Sequence, residues 1–159
     1  MSEEIQLSGD KVAIVDSGDY EWLNQWKWSH NGHGYAERVV TRNGIQKHIM
    51  MHRLIINTPD NMDTDHVNHN GLDNRRCNLR ICTTSQNQAN QRIRSDNTSG
   101  KVGVSWHKTH KKWSANIRHN GKQVYLGLFD SIEDASNAYS AKAKELFGEF
   151  VYDMLGKPG

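Results

Sequence analysis

The stretch 65–87, DHVNHNGLDNRRCNLRICTTSQN, constrains the structure of this chain more than any other. It has few large apolar side chains and many Asn, Asp and Gly residues, which favour turns. Asp65 and His66 close a short strand pattern. The segment 79–82 alternates apolar and polar residues, as an antiparallel strand does. The Thr-Thr-Ser sequence that follows can cap a helix carrying Asn87 near its first turn. The stretch therefore predicts the order strand, loop, strand, helix.

The composition restricts the chain to small modules. Its 159 residues suffice for one ordinary domain or two small ones. Because 35% of them are hydrophobic and the mean hydropathy is −0.83, a large core is not expected. No apolar run approaches the roughly 20 residues of a membrane-spanning helix, so no membrane partner is expected. The N-terminal sequence lacks the apolar stretch of a signal peptide. Two cysteines do not make a disulfide scaffold, so a cytoplasmic location is expected.

The charge is unevenly distributed along the chain. Residues 1–64 hold 6 Lys and Arg against 9 Asp and Glu, a balance of −3. Residues 65–129 hold 11 against 3, a balance of +8, and residues 130–159 hold 3 against 6, again −3. A basic block between acidic flanks indicates a site for a polyanion, with a solvated basic face as the alternative.

The residue types in the central stretch suit phosphodiester hydrolysis, which needs an activated water and positive charge on the phosphate oxygens. Asp65 offers a carboxylate oxygen and Asn87 an amide oxygen, a pair suited to Mg²⁺ or Mn²⁺. His66 titrates near neutral pH, so it can accept the proton of the attacking water. Asn78 can brace the loop and orient the His66 ring. Nearby arginines are candidate DNA phosphate contacts, although solvated roles stay open; they are Arg75, Arg76, Arg80, Arg92 and Arg94.

The motifs DHVN, DNR, NLR and TTSQN, within residues 50–92, resemble the HNH endonuclease family. The resemblance implies a ββα-metal fold in which Asp65 and Asn87 hold one divalent cation. Mg²⁺ is the expected ion, with Mn²⁺ as the substitute. His66 would be the general base and Asn78 a structural brace. Many members have histidine where this chain has Asn87. The asparagine matches the HNN form of phage and intron-encoded homing endonucleases and favours an oxygen-loving ion over Zn²⁺.

Two other interpretations of this stretch stay open. His66 and His69 could form a zinc cluster with Cys77 and Cys82. These cysteines do not occur in the two CxxC pairs that hold a separate zinc in many HNH proteins, so a structural zinc is not expected. The HNH fold could also be an inactive scaffold that only binds DNA. His52, directly before the motif, is interpreted as a surface or packed histidine without catalytic function.

Residues 100–150 predict a second module. Three alternating runs at 102–106, 112–118 and 122–126, the last two joined by an Asn-Gly turn, predict a three-stranded meander. Ser131 is the predicted N-cap of a helix whose apolar stripe packs on one face of the sheet. The other face is predicted to carry most of these residues: Trp106, Lys108, Asn116, Arg118, Gln123 and Tyr125.

The segments GVSWHKTHKKWSANIR, YLGLF and SIEDASNAYSAKAKELFGEF resemble the APETALA-type, or ethylene-response-factor, DNA-binding domain. In that family the sheet lies in the major groove. Carried over by position, the resemblance implies DNA contacts at Ser105, Asn116, Arg118, Gln123 and Tyr125, with Trp106 and Lys108 as further candidates. Plant members usually have arginine at the positions of Ser105 and Gln123, so their site preference is not transferred.

The predicted protein is therefore α+β. Its β-rich supporting segment spans 1–64, the ββα-metal core 65–92, a linker 93–100, the APETALA-like domain 101–152 and a tail 153–159. The predicted function is a metal-dependent, site-directed endonuclease of homing, mobile-element or phage type. It would act as a monomer or weak dimer on double-stranded DNA, in the bacterial nucleoid or on phage DNA. The alternative is a DNA-binding regulator that does not cleave.

Overall fold

The computed structural model describes residues 1–90, 93 and 96–151. The chain packs as two compact units, Met1–Thr83 and Thr84–Gly159, and the predicted α+β class is confirmed. Two predicted DNA contacts, Arg92 and Arg94, lie outside the described residues, as does the predicted tail. In the part of the chain that the structure describes, no helix is long and apolar enough to cross a membrane.

A five-stranded sheet forms the first unit. Its strands are β1 (Ser2–Ser8), β2 (Val12–Asp16), β3 (Trp28–His30), β4 (Ala36–Arg42) and β5 (Ile45–Met50), in the order β2-β1-β3-β4-β5. β1 pairs parallel with β3, and the other neighbouring strands pair antiparallel. β4 and β5 form a hairpin whose turn residues Asn43 and Gly44 adopt φ values of 52° and 75°. A two-residue turn between twisted strands requires such positive values.

Two short helices complete this unit, α1 (Ser17–Asn24) and α2 (Met51–Ile55). They pack on a core that contains Ile5, Leu7, Ala13, Val15, Leu23, Trp28, Ala36, Met51, Ile55 and Leu79. α1 begins at Ser17, and its N-cap residue is Asp16. Asp19 is buried within the helix, where it accepts hydrogen bonds from Trp22 and Arg76. A buried carboxylate is costly without such hydrogen-bonded partners.

A hairpin follows the first sheet. β6 (Asp63–His66) pairs antiparallel with β7 (Leu79–Cys82), with a short 3₁₀ turn at Arg76–Asn78 before β7. α3 (Thr84–Ala89) comes next. The predicted order of strand, loop, strand and helix is therefore observed. α3 packs with the second compact unit, whereas the sequence assigned it to the 65–92 core.

The second unit contains a three-stranded antiparallel sheet and one long helix. The strands are β8 (Val104–His107), β9 (Lys112–His119) and β10 (Lys122–Phe129), in the order β10-β9-β8, and the helix is α4 (Ile132–Phe147). The predicted cap of α4 is confirmed, because Ser131 Oγ accepts a hydrogen bond from the backbone N–H of Asp134 at 3.0 Å. α4 covers one face of the sheet, with Val104, Ala115, Ile117, Ala135, Ala143 and Phe147 buried between them.

Gly103 sets where β8 begins. Its φ is 67°, and a Cβ there would overlap the Tyr139 ring of α4 and lie 2.5 Å from the carbonyl oxygen of Asn116. The Gly103 carbonyl also accepts a hydrogen bond from the backbone N–H of Asn116 at 2.8 Å. Only glycine fits both the backbone conformation and the close approach of the helix.

Candidate functional site

Asp65 and His66 are the last two residues of β6, and both are buried. The register of the hairpin places Asp65 opposite Arg80. Arg80 Nε donates to Oδ2 of Asp65 at 2.8 Å, and Nη2 forms an ion pair with the same oxygen at 2.8 Å. A buried carboxylate is costly without a compensating charge, and the Arg80 guanidinium supplies that charge.

Asn78 connects the two ends of the loop between β6 and β7. Its Oδ1 accepts from the backbone N–H of Asn68 at 2.9 Å, and its Nδ2 donates to the backbone carbonyl of Asp73 at 2.7 Å. The Asn78 carbonyl accepts from the N–H of Val67 at 2.9 Å, one residue after His66. The Asn78 amide is therefore positioned to brace the loop that follows the catalytic candidate.

Asp73 is a second anchor of this loop, and it is also buried. Arg75 donates to both of its carboxylate oxygens, at 2.8 Å and 2.6 Å, and Asn68 Nδ2 donates to it at 2.7 Å. The hydrogen bonds from Arg75 hold the pKa of Asp73 below its usual range. The backbone of the loop is also attached to β2, since Ile14 N donates to Leu72 O at 2.8 Å.

The hydrogen bond to the His66 ring comes from a residue that the sequence did not single out. Nε2 of His66 lies 3.2 Å from Oδ1 of Asn74, which is 0% exposed. Asn78, which was expected to orient the ring, uses both ends of its amide within the loop. Asn74, rather than Asn78, is therefore the residue whose side chain contacts and orients the His66 ring. An Asx-rich loop gives no sequence signal for which asparagine points towards the ring.

The His66 ring packs in a cluster with Tyr35 and His52. The ring centroids lie 5.1 Å apart for His52 and His66, 5.7 Å for Tyr35 and His66, and 5.1 Å for Tyr35 and His52. Burial lowers the pKa of His52 to about 3, and the charges of His66 and Arg53 add to this effect. Burial also lowers the pKa of His66, against the raising effect of its hydrogen bond to Asn74. Both imidazoles are therefore mainly neutral at pH 7.

The sequence signal for His52 lies in its surroundings. It falls within Met51-His-Arg-Leu-Ile55, an apolar helical run whose first and last residues are buried in the core. A histidine next to those positions is carried into the protein interior with them. Tyr35 lies next to Ala36, the first residue of β4, and only tertiary packing brings it to His66.

The three described arginines of the central stretch each pair with a carboxylate. Arg75 pairs with Asp73, Arg76 with Asp19 and Arg80 with Asp65. The Arg76 pair is bidentate, with both hydrogen bonds at 2.7 Å, and the Arg76 backbone N–H donates to Asp16 at 2.8 Å. These arginines therefore stabilise the fold, and their contact with DNA phosphates stays a prediction.

In the second unit, one face of the sheet is open and polar. The register pairs Asn116 with Tyr125 and Arg118 with Gln123, alternating with Ile117 and Val124, which face α4. Ser105 lies on the same side and pairs with Ser114, whose Oγ accepts from Asn116 Nδ2 at 3.0 Å. Tyr125 is 60% exposed. The five residues carried over from the family resemblance thus share one face.

Trp106 does not lie on this open face, so its predicted place is wrong. It alternates with Ser105 and pairs with Trp113 across β8 and β9, on the side of Val104. The two indole rings pack edge to face at 5.1 Å, and Trp106 remains 48% exposed. Lys108 is exposed in the turn after β8. A strand of period two cannot present Ser105 and Trp106 on one side.

The donor types suit a hard divalent cation. Asp65, in the first unit, offers a carboxylate, and Asn87, in α3 of the second unit, offers an amide oxygen. Among residues 1–90, 93 and 96–151, no three His, Cys, Asp or Glu side chains cluster as metal ligands. Burial raises the pKa of the Cys82 thiol to about 12, so it is not a ready thiolate ligand. Cys77 is exposed.

Sequence similarity to known proteins indicates the family to which this chain belongs. The chain is 30% identical over 141 residues to "Uncharacterized HNH endonuclease L560" of Acanthamoeba polyphaga mimivirus, which covers 87% of this chain and 72% of that protein. It is 32% identical over 87 residues to "Protein 3.8" of Escherichia phage T7, which covers 55% of this chain and 71% of that protein. No family model and no solved structure gives a significant match. The similarity to the mimivirus protein extends well beyond the DHVN and NLR motifs, and this chain belongs to the HNH endonuclease family.

Proposed function

We propose that this protein is a metal-dependent endonuclease that hydrolyses phosphodiester bonds of double-stranded DNA, with His66 as the general base. The observation that carries the proposal is the position of His66. It is a buried imidazole that follows a carboxylate directly and sits at the start of a braced loop. The mimivirus relative is named an HNH endonuclease, which agrees with this chemistry.

His66 would take the proton from the attacking water. A general base must be unprotonated at the working pH, and burial lowers the pKa of His66 below its ordinary value. The ring must also be held in one place, which the contacts with Asn74, Tyr35 and His52 provide. A neutral, fixed imidazole has the properties that this step requires.

Asp65 and Asn87 would hold one divalent cation, Mg²⁺ with Mn²⁺ as a substitute. Both assignments rest on the sequence motif, in which Asp65 directly precedes His66 at the end of β6. When bound, such an ion supplies positive charge to the phosphate oxygens and the leaving group. Asp65 would contribute a carboxylate oxygen to the cation, and Asn78 would keep the loop beyond His66 in its shape.

The second unit would bind DNA and direct the cleavage to a site. Its open face carries Ser105, Asn116, Arg118, Gln123 and Tyr125, a mixture of arginine, amide, hydroxyl and aromatic groups that suits base and phosphate contacts. The meander and packed helix agree with the APETALA-like domain that its sequence resembles. This face would enter the major groove, as the resemblance to the APETALA-type family implies, and the cleavage would be of homing type.

Incubation of supercoiled plasmid with the full chain and Mg²⁺ or Mn²⁺ tests the nuclease. The wild type should produce nicked or linear DNA, and EDTA should abolish the product. His66→Ala should lower the rate by about 10²- to 10⁴-fold, the usual contribution of a general base. His33→Ala, which removes an exposed histidine of the same unit, is the matched control. Equal rates for the wild type and His66→Ala would remove His66 from its role.

A DNA-binding regulator without cleavage is the second candidate. The observation that favours it is the open polar face of the second unit, which needs neither His66 nor a cation to bind DNA. This candidate predicts metal-independent gel shifts and no nicking with any divalent ion. Gel shifts and plasmid assays on the same preparation separate the two functions.

A further inference from the structure

We infer that Asn74 is a positioning residue: it holds His66 as the tautomer with hydrogen on Nε2, so that Nδ1 is the nitrogen that accepts the proton from water. The catalytic consequence rests on the proposed endonuclease function. The tautomer itself follows from hydrogen bonds within the first unit and can be measured without DNA.

The orientation of the Asn74 amide follows from its neighbours. Nδ2 lies 3.4 Å from the carbonyl oxygen of Leu72 and 3.6 Å from Sδ of Met51. A backbone carbonyl only accepts hydrogen bonds, so the group that faces it must be the NH₂ of the amide. The oxygen of Asn74 therefore faces His66.

The tautomer of His66 follows in turn. Oδ1 of Asn74 lies 3.2 Å from Nε2 of His66 and can only accept a hydrogen bond. Nε2 must therefore carry the hydrogen. A neutral imidazole has one N–H, so Nδ1 keeps its lone pair and is the basic nitrogen.

The arrangement is fixed by the backbone and by packing. Asn74 N donates to the carbonyl of Ile14 in β2 at 2.7 Å, and Asn74 is fully buried. A flipped amide would set its oxygen against the Leu72 carbonyl oxygen, and two acceptors facing each other are costly in the interior.

Nδ1 of the neighbouring His52 does not form a hydrogen bond with the His66 ring that could replace the one to Asn74. His52 packs edge to face on the His66 ring, at an interplanar angle of 82°. Its Nδ1 is buried without a hydrogen-bond partner among the described residues. His52 therefore limits the movement of the His66 ring by packing, while the polar contact that selects the tautomer comes from Asn74.

The test is ¹⁵N NMR of the histidine side chains of the full chain, near pH 8, with the His66 signals assigned by their absence in His66→Gln. The wild type should show hydrogen on Nε2. Asn74→Leu keeps the volume but removes both polar contacts, and should lower the ratio of the Nε2–H to the Nδ1–H tautomer about fivefold, as expected for one net hydrogen bond. Asn74→Asp keeps an oxygen acceptor and should retain the tautomer.

Asn70→Ala is the matched control. Asn70 lies in the same loop and accepts from the backbone N–H of Leu72 at 3.1 Å, so its loss perturbs the loop without removing the Asn74 contact. A wild-type His66 with hydrogen on Nδ1 would overturn the inference, whether or not the variants fold. A folded Asn74→Leu with an unchanged tautomer ratio would overturn it as well.

Kinetics then test the consequence. Asn74→Leu should lower kcat for plasmid nicking about 10- to 100-fold with little change in KM, because partners that orient a catalytic group commonly contribute that much. Asn74→Asp should recover part of kcat. If the wild type does not cleave DNA, the proposed function fails and the NMR result still stands or falls by itself. If the wild type cleaves but carries hydrogen on Nδ1, only the inference fails.

Discussion

Replacement of His52 by phenylalanine should remove much of the acid sensitivity of the first unit. His52 is 7% exposed, and burial lowers its pKa from 6.5 to about 3. Its pKa is thus lower in the folded state than in the unfolded chain. Between these two values the unfolded chain binds more protons, so stability falls as the pH falls. The neutral, buried His52 therefore contributes its full share of the free energy of unfolding above pH 6.5, and this share is lost progressively as the pH falls below that value.

The size of the loss at pH 5 follows from proton binding to the unfolded chain. With an unfolded pKa of 6.5, the protonated imidazole outnumbers the neutral form roughly thirtyfold at that pH. The folded protein keeps His52 neutral. The free energy of unfolding therefore falls by RT times the logarithm of that ratio, about 2 kcal/mol. The result holds for any folded pKa well below 5. His66 adds in the same direction, because burial lowers its pKa too.

Urea unfolding measures this difference when it is followed by the ¹³C methyl signal of Met51, which is fully buried in the first unit. Between about pH 7.5 and about pH 5, the wild type should lose about 2 kcal/mol more stability than His52→Phe. Packing changes in the variant act at both pH values and cancel in the comparison. His33→Phe controls for the loss of a histidine as such. A difference below about 0.5 kcal/mol would refute the burial of a neutral imidazole at this position.

Two further predictions concern arginines. Arg76→Ala should lower the free energy of unfolding of the first unit by about 2 to 3 kcal/mol, because it leaves the buried Asp19 without its ion-pair partner. The Arg76 side chain is 53% exposed, so this loss is smaller than for a fully buried ion pair. Asp19→Asn in the same chain should restore part of that stability in urea unfolding, and a stable Arg76→Ala that binds DNA weakly would contradict the structural role. Arg118→Ala should weaken DNA binding and reduce its salt slope by about one, with Lys144→Ala on α4 as the control. Unchanged affinity in gel shifts would show that the open face does not contact DNA.

Local chemistry made much of the fold predictable from the sequence. The two Asn-Gly turns required positive φ values, which the structure shows at Asn43, Gly44, Asn120 and Gly121. β1 was not predicted. Its exposed positions include the consecutive acidic residues Glu3 and Glu4, which hide the alternation of the buried residues Ile5 and Leu7. Its strand character comes from pairing with β2 and β3, a tertiary effect that overrides local preference.

The site was predictable where a motif fixed a position and unpredictable where packing chose a partner. The adjacent Asp-His pair of the motif predicted Asp65 and His66 as site residues, and the strand pattern predicted their place at the end of β6. Tyr35 and His52 come from elsewhere in the chain, and Asn74 is one of several asparagines with the same turn preference. Which of the loop asparagines turns inward depends on the attachment of the loop to β2, which local sequence does not encode.

Ion pairing also changes what the charge of the central block means. The balance of +8 over residues 65–129 already offsets Arg75 and Arg80 by their partners Asp73 and Asp65. It does not offset Arg76, whose partner Asp19 lies outside that range. Compensated charges attract distant phosphates less than isolated ones do. The Arg76 pair draws its carboxylate from the acidic segment 1–64, so the acidity of that segment serves partly to hold the hairpin. The attraction for DNA must then come to a greater degree from Lys and Arg of the second unit, where Arg118 lies on the open face.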